Sequence, residues 1–292
     1  MADPPPAGAV DELLVRCAFP PPGTPVSCAV SGGADSLALL ALAAAAGCVV
    51  TAIHVDHGLR PGSASEAQVV ADAAVRFGAA FERRTVVVEP GADLEARARA
   101  ARYAALPGGV LTGHTADDLA ETVLLNLLRG AALDGLAGFR PAQRPLRALR
   151  RAETVALCAH LALRPVQDPS NDDPRFRRNR IRHEVLPLLD DVAERDVAAV
   201  LARSAEVLRA DAELLEALAE PLDPTNARAL AAAPEPLARR AVRRWLRTGA
   251  EQHPPDAATV GRVLAVARGD AVACEVGGGR RVARSGQRLT LG

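Results

Sequence analysis

The chain has 292 residues, 35 of them basic and 35 acidic, so it carries no formal net charge, and that length predicts two domains with a sizeable core. No run of about twenty uncharged apolar residues occurs, which excludes a helical membrane span. The opening Met1-Ala2-Asp3-Pro4-Pro5-Pro6 lacks the basic-then-apolar pattern of a secretory signal, and the five cysteines are scattered without a Cys-x-x-Cys pair, so a cytoplasmic protein with reduced thiols is expected.

Residues 1–25 are rich in proline and alanine and read as a tether, broken by one short helical stretch over Val10–Arg16. An apolar run then ends at Cys28-Ala29-Val30, Ser31-Gly32-Gly33-Ala34-Asp35-Ser36 follows, and Leu37 to Ala43 is again apolar. This is strand, glycine turn, helix. Two adjacent glycines allow positive φ and turn amide N–H groups into an open concavity, to which the helix start adds its positive dipole end. Such a turn cradles anions. It lacks the lysine of Gly-x-x-x-x-Gly-Lys-Ser/Thr, which excludes the usual kinase and GTPase loops.

Val49 to Val55 has the β-branched richness of a buried strand, and Ser63 to Phe77 a helical pattern. Phe81–Val88 predicts a third strand, Leu94–Leu106 a helix, Val110–Thr112 a short strand and Ala116–Leu128 another helix. Pro145–Leu149 predicts one more strand and Glu153–Leu161 a helix, with a polar loop over Arg164–Asn179. The alternation implies an α/β fold, a parallel sheet with helices on both faces and ligands at the carboxyl ends of its strands. From near 191 the pattern becomes helical, over Asp196–Leu218, Leu237–Leu246 and Ala257–Val266, before three short strands around Gly277-Gly278-Gly279. A smaller, mainly helical second domain with a terminal sheet is therefore expected over 191–292, after a first domain over 26–190.

Three further stretches fall where a site at the sheet edge needs them. His54-Val55-Asp56-His57-Gly58-Leu59 ends the second strand; joint metal ligation by His54 and His57 requires a bend, since on a strand they face opposite sides. In Gly113-His114-Thr115-Ala116-Asp117-Asp118-Leu119-Ala120-Glu121, the side chains of His114, Asp117, Asp118 and Glu121 share one helix face. Clustered carboxylates suit a cation, and acids in a first turn are also ordinary dipole partners. The third is Glu95-Ala96-Arg97-Ala98-Arg99-Ala100-Ala101-Arg102-Tyr103, a helix with Arg99 and Arg102 on neighbouring positions of one face, where arginine can hold phosphate or remain solvated. Between Gln143 and Arg182 there are ten arginines and four acids, a local balance of +6, the candidate surface for a polyphosphate chain.

Taken in order, Ser31-Gly32-Gly33-x-Asp35-Ser36, His54-Val55-Asp56-His57-Gly58-Leu59, Ala98-Arg99-Ala100-Ala101-Arg102-Tyr103 and Gly113-His114-Thr115-Ala116-Asp117-Asp118 with Glu121 resemble the tRNA(Ile)-lysidine synthetase family of pyrophosphatase-loop enzymes. Arg144-Pro145-Leu146, Asp168-Pro169-Ser170-Asn171 and Arg178-Asn179-Arg180-Ile181-Arg182 extend the resemblance to about residue 190. It departs where Thr115 stands for a second histidine and Leu119 for glutamine. The carboxy-terminal region is similar only through Val276-Gly277-Gly278-Gly279-x-Arg281-Val282.

The resemblance implies a ligase that adenylates the wobble cytidine of tRNA(Ile) with a CAU anticodon, using ATP, and replaces AMP with L-lysine, so that the codon read changes from AUG to AUA. It implies that Ser31, Gly32, Gly33, Ala34, Asp35 and Ser36 hold the nucleotide, with His54 and His114 beside it, and that Asp35 meets Mg²⁺. It implies catalytic roles for Asp35, Arg99 and Arg178, lysine binding by Asp118 and Glu121, and tRNA contacts from Arg175, Asn179 and Arg182. No membrane and no stable protein partner are implied beyond a second copy of the chain as a homodimer. The alternatives are another adenylating tRNA-modifying enzyme, such as a thiolase, which wants paired cysteines, and a non-catalytic RNA-binding module.

Overall fold

The computed structural model describes residues 8–56, 63–87, 94–139, 141–167, 172–247 and 255–292, in two compact units, 1–206 and 207–292. In the first unit the chain runs α1 (Ala9–Leu14), β1 (Pro25–Ala29), α2 (Ala34–Ala45), β2 (Val49–Asp56), α3 (Ser63–Arg76), β3 (Ala80–Thr85), α4 (Leu94–Ala104), β4 (Leu111–Thr112), α5 (Ala116–Leu128), α6 (Leu133–Leu136) and α7 (Arg151–His160). It continues through α8 (Arg177–Arg180), a π-helical turn (Ile181–Val185), α9 (Leu186–Ala193) and into α10 (Val197–Ala219). All four strands are parallel, in the order β3-β2-β1-β4. The chain steps outward from β1 to β3 and then returns to β4 on the other side of β1. That reversal opens a crevice at the carboxyl ends of β1 and β4, where such sheets bind ligands.

The main core joins Cys28, Val30, Val50, Ala52 and Leu111 of the strand segments to Leu37, Leu39, Leu40, Val70 and Leu157 of the flanking helices. Residue after residue of α2 is buried, which is why its sequence is apolar all round rather than on one stripe. β3 closes one edge of the sheet and carries Glu82, Arg83 and Arg84, charges that discourage pairing with another chain.

Three expectations change. Of the segment read as a tether, the described part from residue 8 on is packed: Val10, Leu13, Leu14, Cys17 and Phe19 lie against the main core, and Arg16 bonds Glu153 and the Ala148 carbonyl. Helical spacing of apolar residues within a proline-rich stretch is the reason. Pro145–Leu149 is a turn, not a strand; Leu146 and Leu149 are buried because they plug the core from a loop. The units divide at 206 rather than near 190. Leu186, Leu189, Ala198, Leu201 and Ala205 pack on Leu119, Ala120, Val123 and Leu124 of α5, which binds α9 and the start of α10 to the first unit.

The second unit contains α11 (Ala227–Ala232), α12 (Glu235–Leu246), α13 (Ala257–Arg268) and an antiparallel sheet of β5 (Ala273–Gly277), β6 (Arg280–Ser285) and β7 (Arg288–Leu291) in that order. Its own core includes Leu230, Val242, Leu246, Val263, Val282 and Leu289, with Trp245 packed against it. Among the described residues no helix is long and apolar enough to cross a membrane.

Candidate active site

The turn after β1 has the conformation its glycines allow: Gly32 has φ +90°, and Gly33 is extended as the residue before α2. The Ser36 hydroxyl donates to the Gly33 carbonyl (2.8 Å) and accepts from the Ser31 amide (3.1 Å), fixing the loop from inside. Val166 covers it, donating its amide to the Gly32 carbonyl at 2.9 Å. Among the described residues no acceptor meets the amides of Gly32, Gly33, Ala34 or Asp35. Four N–H groups at the start of a twelve-residue helix thus stand ready for an anion.

β4 brings the second element alongside. A Cβ built on Gly113 would lie 2.5 Å from the Asp35 carbonyl oxygen, so only glycine permits this approach. Immediately after it, Thr115 caps α5: the Asp118 carboxylate accepts from the Thr115 amide (2.9 Å) and hydroxyl (3.1 Å). A third element completes the site, the amino end of α7. The Arg150 amide is taken by Glu153 and the Arg151 amide by Asp117, both at 2.7 Å, which satisfies orphan donors of that helix.

The side chain of Arg151 then spans the crevice. Its Nε donates to Asp35 Oδ2 (3.1 Å), Nη2 to Asp118 Oδ1 (2.8 Å) and Nη1 to Glu121 Oε1 (3.5 Å). Arg178 reaches Glu121 Oε2 at 2.5 Å and Asp118 Oδ1 at 3.1 Å, and Arg182 reaches Glu121 at 2.7 and 3.2 Å. The hydroxyl of buried Thr154 donates to the other oxygen of Asp35. Three carboxylates face three guanidinium groups, and Glu121 among them is 0% exposed.

The same surroundings move the carboxyl groups in opposite directions. Burial opposes ionisation of both. At Asp118 the charges of Arg151, Arg178 and His114 and the Thr115 amide overcome it and bring the pKa down to about 2. At Asp35 burial prevails over Arg151 and Thr154, and the pKa is raised. Burial works against the charge of Arg151 as well, yet Asp118, Asp35 and Glu121 raise its pKa, so it stays a cation.

The expected site residues therefore divide. Residues 31–36, His114, Asp118, Glu121, Arg178 and Arg182 are brought together by the first unit. His54 is 2% exposed, its Nδ1 2.9 Å from the Val30 carbonyl, and so it steadies the root of the loop from within the core. Asn179, 7% exposed, donates to the Asp173 carbonyl (2.9 Å) and holds the preceding loop. Arg175 is at the surface, paired with Asp173. The Arg99 side chain, His57 and Asp168–Asn171 lie outside the described residues. His114 bonds Thr112 Oγ1 at 2.8 Å and leans on Phe139, over which Arg144 sits at 4.5 Å.

Arg151, Arg150 and Thr154 were not among the expected site residues, and Asp117, read as one of the acids on the α5 face, is taken up by the Arg150 side chain and the Arg151 amide. The signal for Arg151 was an arginine at a helix amino end, where the dipole disfavours a cation unless acids hold it there. Other arginines of the basic segment are also paired with acids. Arg147 pairs with Glu206, Arg150 with Asp117 and Asp196, and Arg180 with Glu184.

Among the described residues no group of three or more His, Cys, Asp or Glu is arranged to hold a metal. Asp35 offers a carboxylate oxygen beside the anion loop, which fits an ion that arrives on a polyphosphate and takes one carboxylate from the protein. An apolar recess of about 320 Å³ lined by Val10, Ala41, Leu42, Phe77, Leu157 and Leu161 offers no group that could act chemically.

Known proteins resemble this chain over most of its length. Residues 12–189 match the PP-loop domain and residues 226–290 the TilS substrate binding domain. The tRNA(Ile)-lysidine synthase of Mycolicibacterium paratuberculosis is 49% identical over 237 residues, 76% of this chain and 74% of that protein. The corresponding protein of Nocardia farcinica is 48% identical over 249 residues, 79% of this chain and 78% of that one. In fold, the chain is similar to the U34-tRNA thiolase NcsA of Methanococcus maripaludis, with a TM-score of 0.53 at 19% identity over 69% of this chain and 77% of that one. With a loop, a crevice and a relationship of this extent, the chain belongs to the tRNA(Ile)-lysidine synthase family.

Proposed function

We propose that the crevice between the Gly32-Gly33 turn and the amino ends of α5 and α7 is where this ATP-dependent ligase forms lysidine on tRNA(Ile). In the first step the cytosine carbonyl oxygen attacks the α-phosphorus of ATP and pyrophosphate leaves. In the second the side-chain amine of L-lysine attacks the activated carbon, loses a proton, and AMP leaves. The observation that carries this reading is the juxtaposition of the unpaired amides of residues 32–35 with Asp118 and Glu121, an anion cradle beside an acid pair. The amides and the Ser31 and Ser36 hydroxyls hold phosphate oxygens.

Asp118 takes an ammonium group of lysine by charge. Its pKa of about 2 makes it a charge partner rather than a proton acceptor. Glu121, the second acid of the lysine site, adds its charge to that ammonium group and, enclosed by Arg151, Arg178 and Arg182, holds those cations toward the reacting groups. Arg178 and Arg99 meet negative charge on the phosphate, and His114 borders the nucleotide. Asp35 would hold magnesium carried by the nucleotide, which when bound draws charge from the leaving pyrophosphate. Arg175 at the surface and Arg182 approach the anticodon arm of a tRNA with the CAU anticodon, while Asn179 fixes their loop. The domains are assigned as a catalytic first unit and a second unit that grips the tRNA.

The test is incubation of the purified chain with Mg-ATP, labelled lysine and unmodified tRNA(Ile) bearing CAU. Label should enter RNA only with ATP and this tRNA, with AMP released in equal amount. AMP release without incorporation would overturn the assignment of lysine as the nucleophile.

A further inference from the structure

The acid pair is already full. Asp118 Oδ1 accepts from Arg151 (2.8 Å) and Arg178 (3.1 Å), and its Oδ2 from the Thr115 amide and hydroxyl. Glu121 Oε1 accepts from Arg182 (2.7 Å) and Arg151 (3.5 Å), and Oε2 from Arg178 and Arg182. A carboxylate offers about four acceptor positions. An ammonium group that binds Asp118 must therefore displace a donor already present.

The displaced donor can be read from the geometry. The Thr115 contacts are part of the helix cap, and the two guanidinium groups of Arg178 and Arg182 are each fixed by a close bond to Glu121. Arg151, though closer to Asp118 Oδ1 (2.8 Å) than Arg178 (3.1 Å), reaches Glu121 only at 3.5 Å and has a second anchor outside the acid pair, Asp35, to which it can stay bonded when it leaves Asp118. We propose that Arg151 is a positioning residue that keeps the place of the substrate's ammonium group on Asp118 and yields it when L-lysine binds. This rests on the reading of Asp118 as the ammonium site. The exchange replaces one cation by another, so the buried acids are never left unpaired, a state that is costly in a low-dielectric site. Once released from Asp118, the guanidinium remains beside Asp35 and the amides of residues 32–35, where it faces the phosphate. Amine binding and phosphate stabilisation are thereby joined through one side chain.

Removal of the competing cation should make lysine bind more tightly while weakening the phosphate side. In Arg151→Gln the lysine KM should fall about fivefold, since two guanidinium groups then face three carboxylates, and lysine-independent exchange of pyrophosphate into ATP should slow about tenfold or more. A residue that merely supports the fold would worsen both. A lysine KM that is unchanged or raised overturns the proposal. In the unaltered chain, saturating lysine should increase modification of Arg151 by phenylglyoxal at least twofold in peptide maps; protection or no change overturns it by a route that needs no variant. Failure of the unaltered chain to incorporate lysine into tRNA would instead overturn the reading of the site itself.

Discussion

Gly113 and Asp35 stand so close that a methyl group on the first would lie 2.5 Å from the carbonyl oxygen of the second and 3.1 Å from the Ser36 amide nitrogen. Backbone meets backbone there, and neither can rotate aside. Gly113→Ala must push β4 away from the amino end of α2, at a cost of about 1–3 kcal/mol. Urea unfolding should register that loss. ATP binding followed by calorimetry should weaken at least tenfold, because the displaced residues carry the free amides; binding unchanged beside a lowered stability would place the anion cradle elsewhere.

Glu121 is the sole fully buried acid of the cluster, and its loss takes one carboxylate partner from each of three guanidinium groups. Each guanidinium keeps some solvent contact, so the expected cost of Glu121→Ala is about 3 kcal/mol, at the lower end for a broken buried pair. Glu121→Gln, which retains hydrogen-bond acceptance, should cost less. Both should raise the lysine KM while leaving pyrophosphate exchange without lysine less affected. Chemical denaturation together with the two assays separates these effects.

Asp118 links the site to acid stability. Its folded pKa of about 2 lies below the ordinary value of 3.8, so its ionised form favours the folded chain by about 2 kcal/mol at neutral pH. That contribution is complete above pH 4 and disappears as the pH falls towards 2. Asp118→Asn should therefore reduce stability near pH 7 and flatten its decline below pH 4. Urea midpoints measured across this range test the sign.

Asp35 behaves in the reverse sense. Its folded pKa is raised by burial, so the ionised form opposes folding at neutral pH and the strain is relieved by protonation. Asp35→Asn should melt at a higher temperature than the unaltered chain at pH 7, with the gap closing as the pH is lowered. The same variant should form no AMP. Thermal scans and an AMP assay on one preparation would show stability and activity moving in opposite directions, as expected of a functional acid.

Much of the frame was legible because the sequence alternates between two periods. The helix Ala116–Leu128 has the bounds its pattern predicted, and the glycine turn marked the carboxyl end of β1. Leu146 and Leu149 misled because a pair of buried leucines in a proline-marked turn imitates a short strand. The acid face of α5 could be read from spacing, but what opposes it could not. Arg151 is 116 positions from Asp35 in the chain, and nothing local announces that contact. The arginine-rich segment similarly suggested an outward cation surface, whereas Asp35, Asp117, Asp118, Glu121 and Glu206, all outside it, absorb much of its charge.

Every cation that closes the site is an arginine, and the chain contains no lysine at all. A guanidinium does not surrender its proton near neutrality and so offers no lone pair to an electrophile. An ammonium group in the same positions would, after losing a proton, be an amine of the enzyme's own beside an activated cytidine, and the RNA would end up covalently tethered to the protein. A lining of guanidinium groups thus provides the charge of the substrate's amine without its nucleophilicity, and the free amino acid meets no side-chain amine as a rival for the activated base.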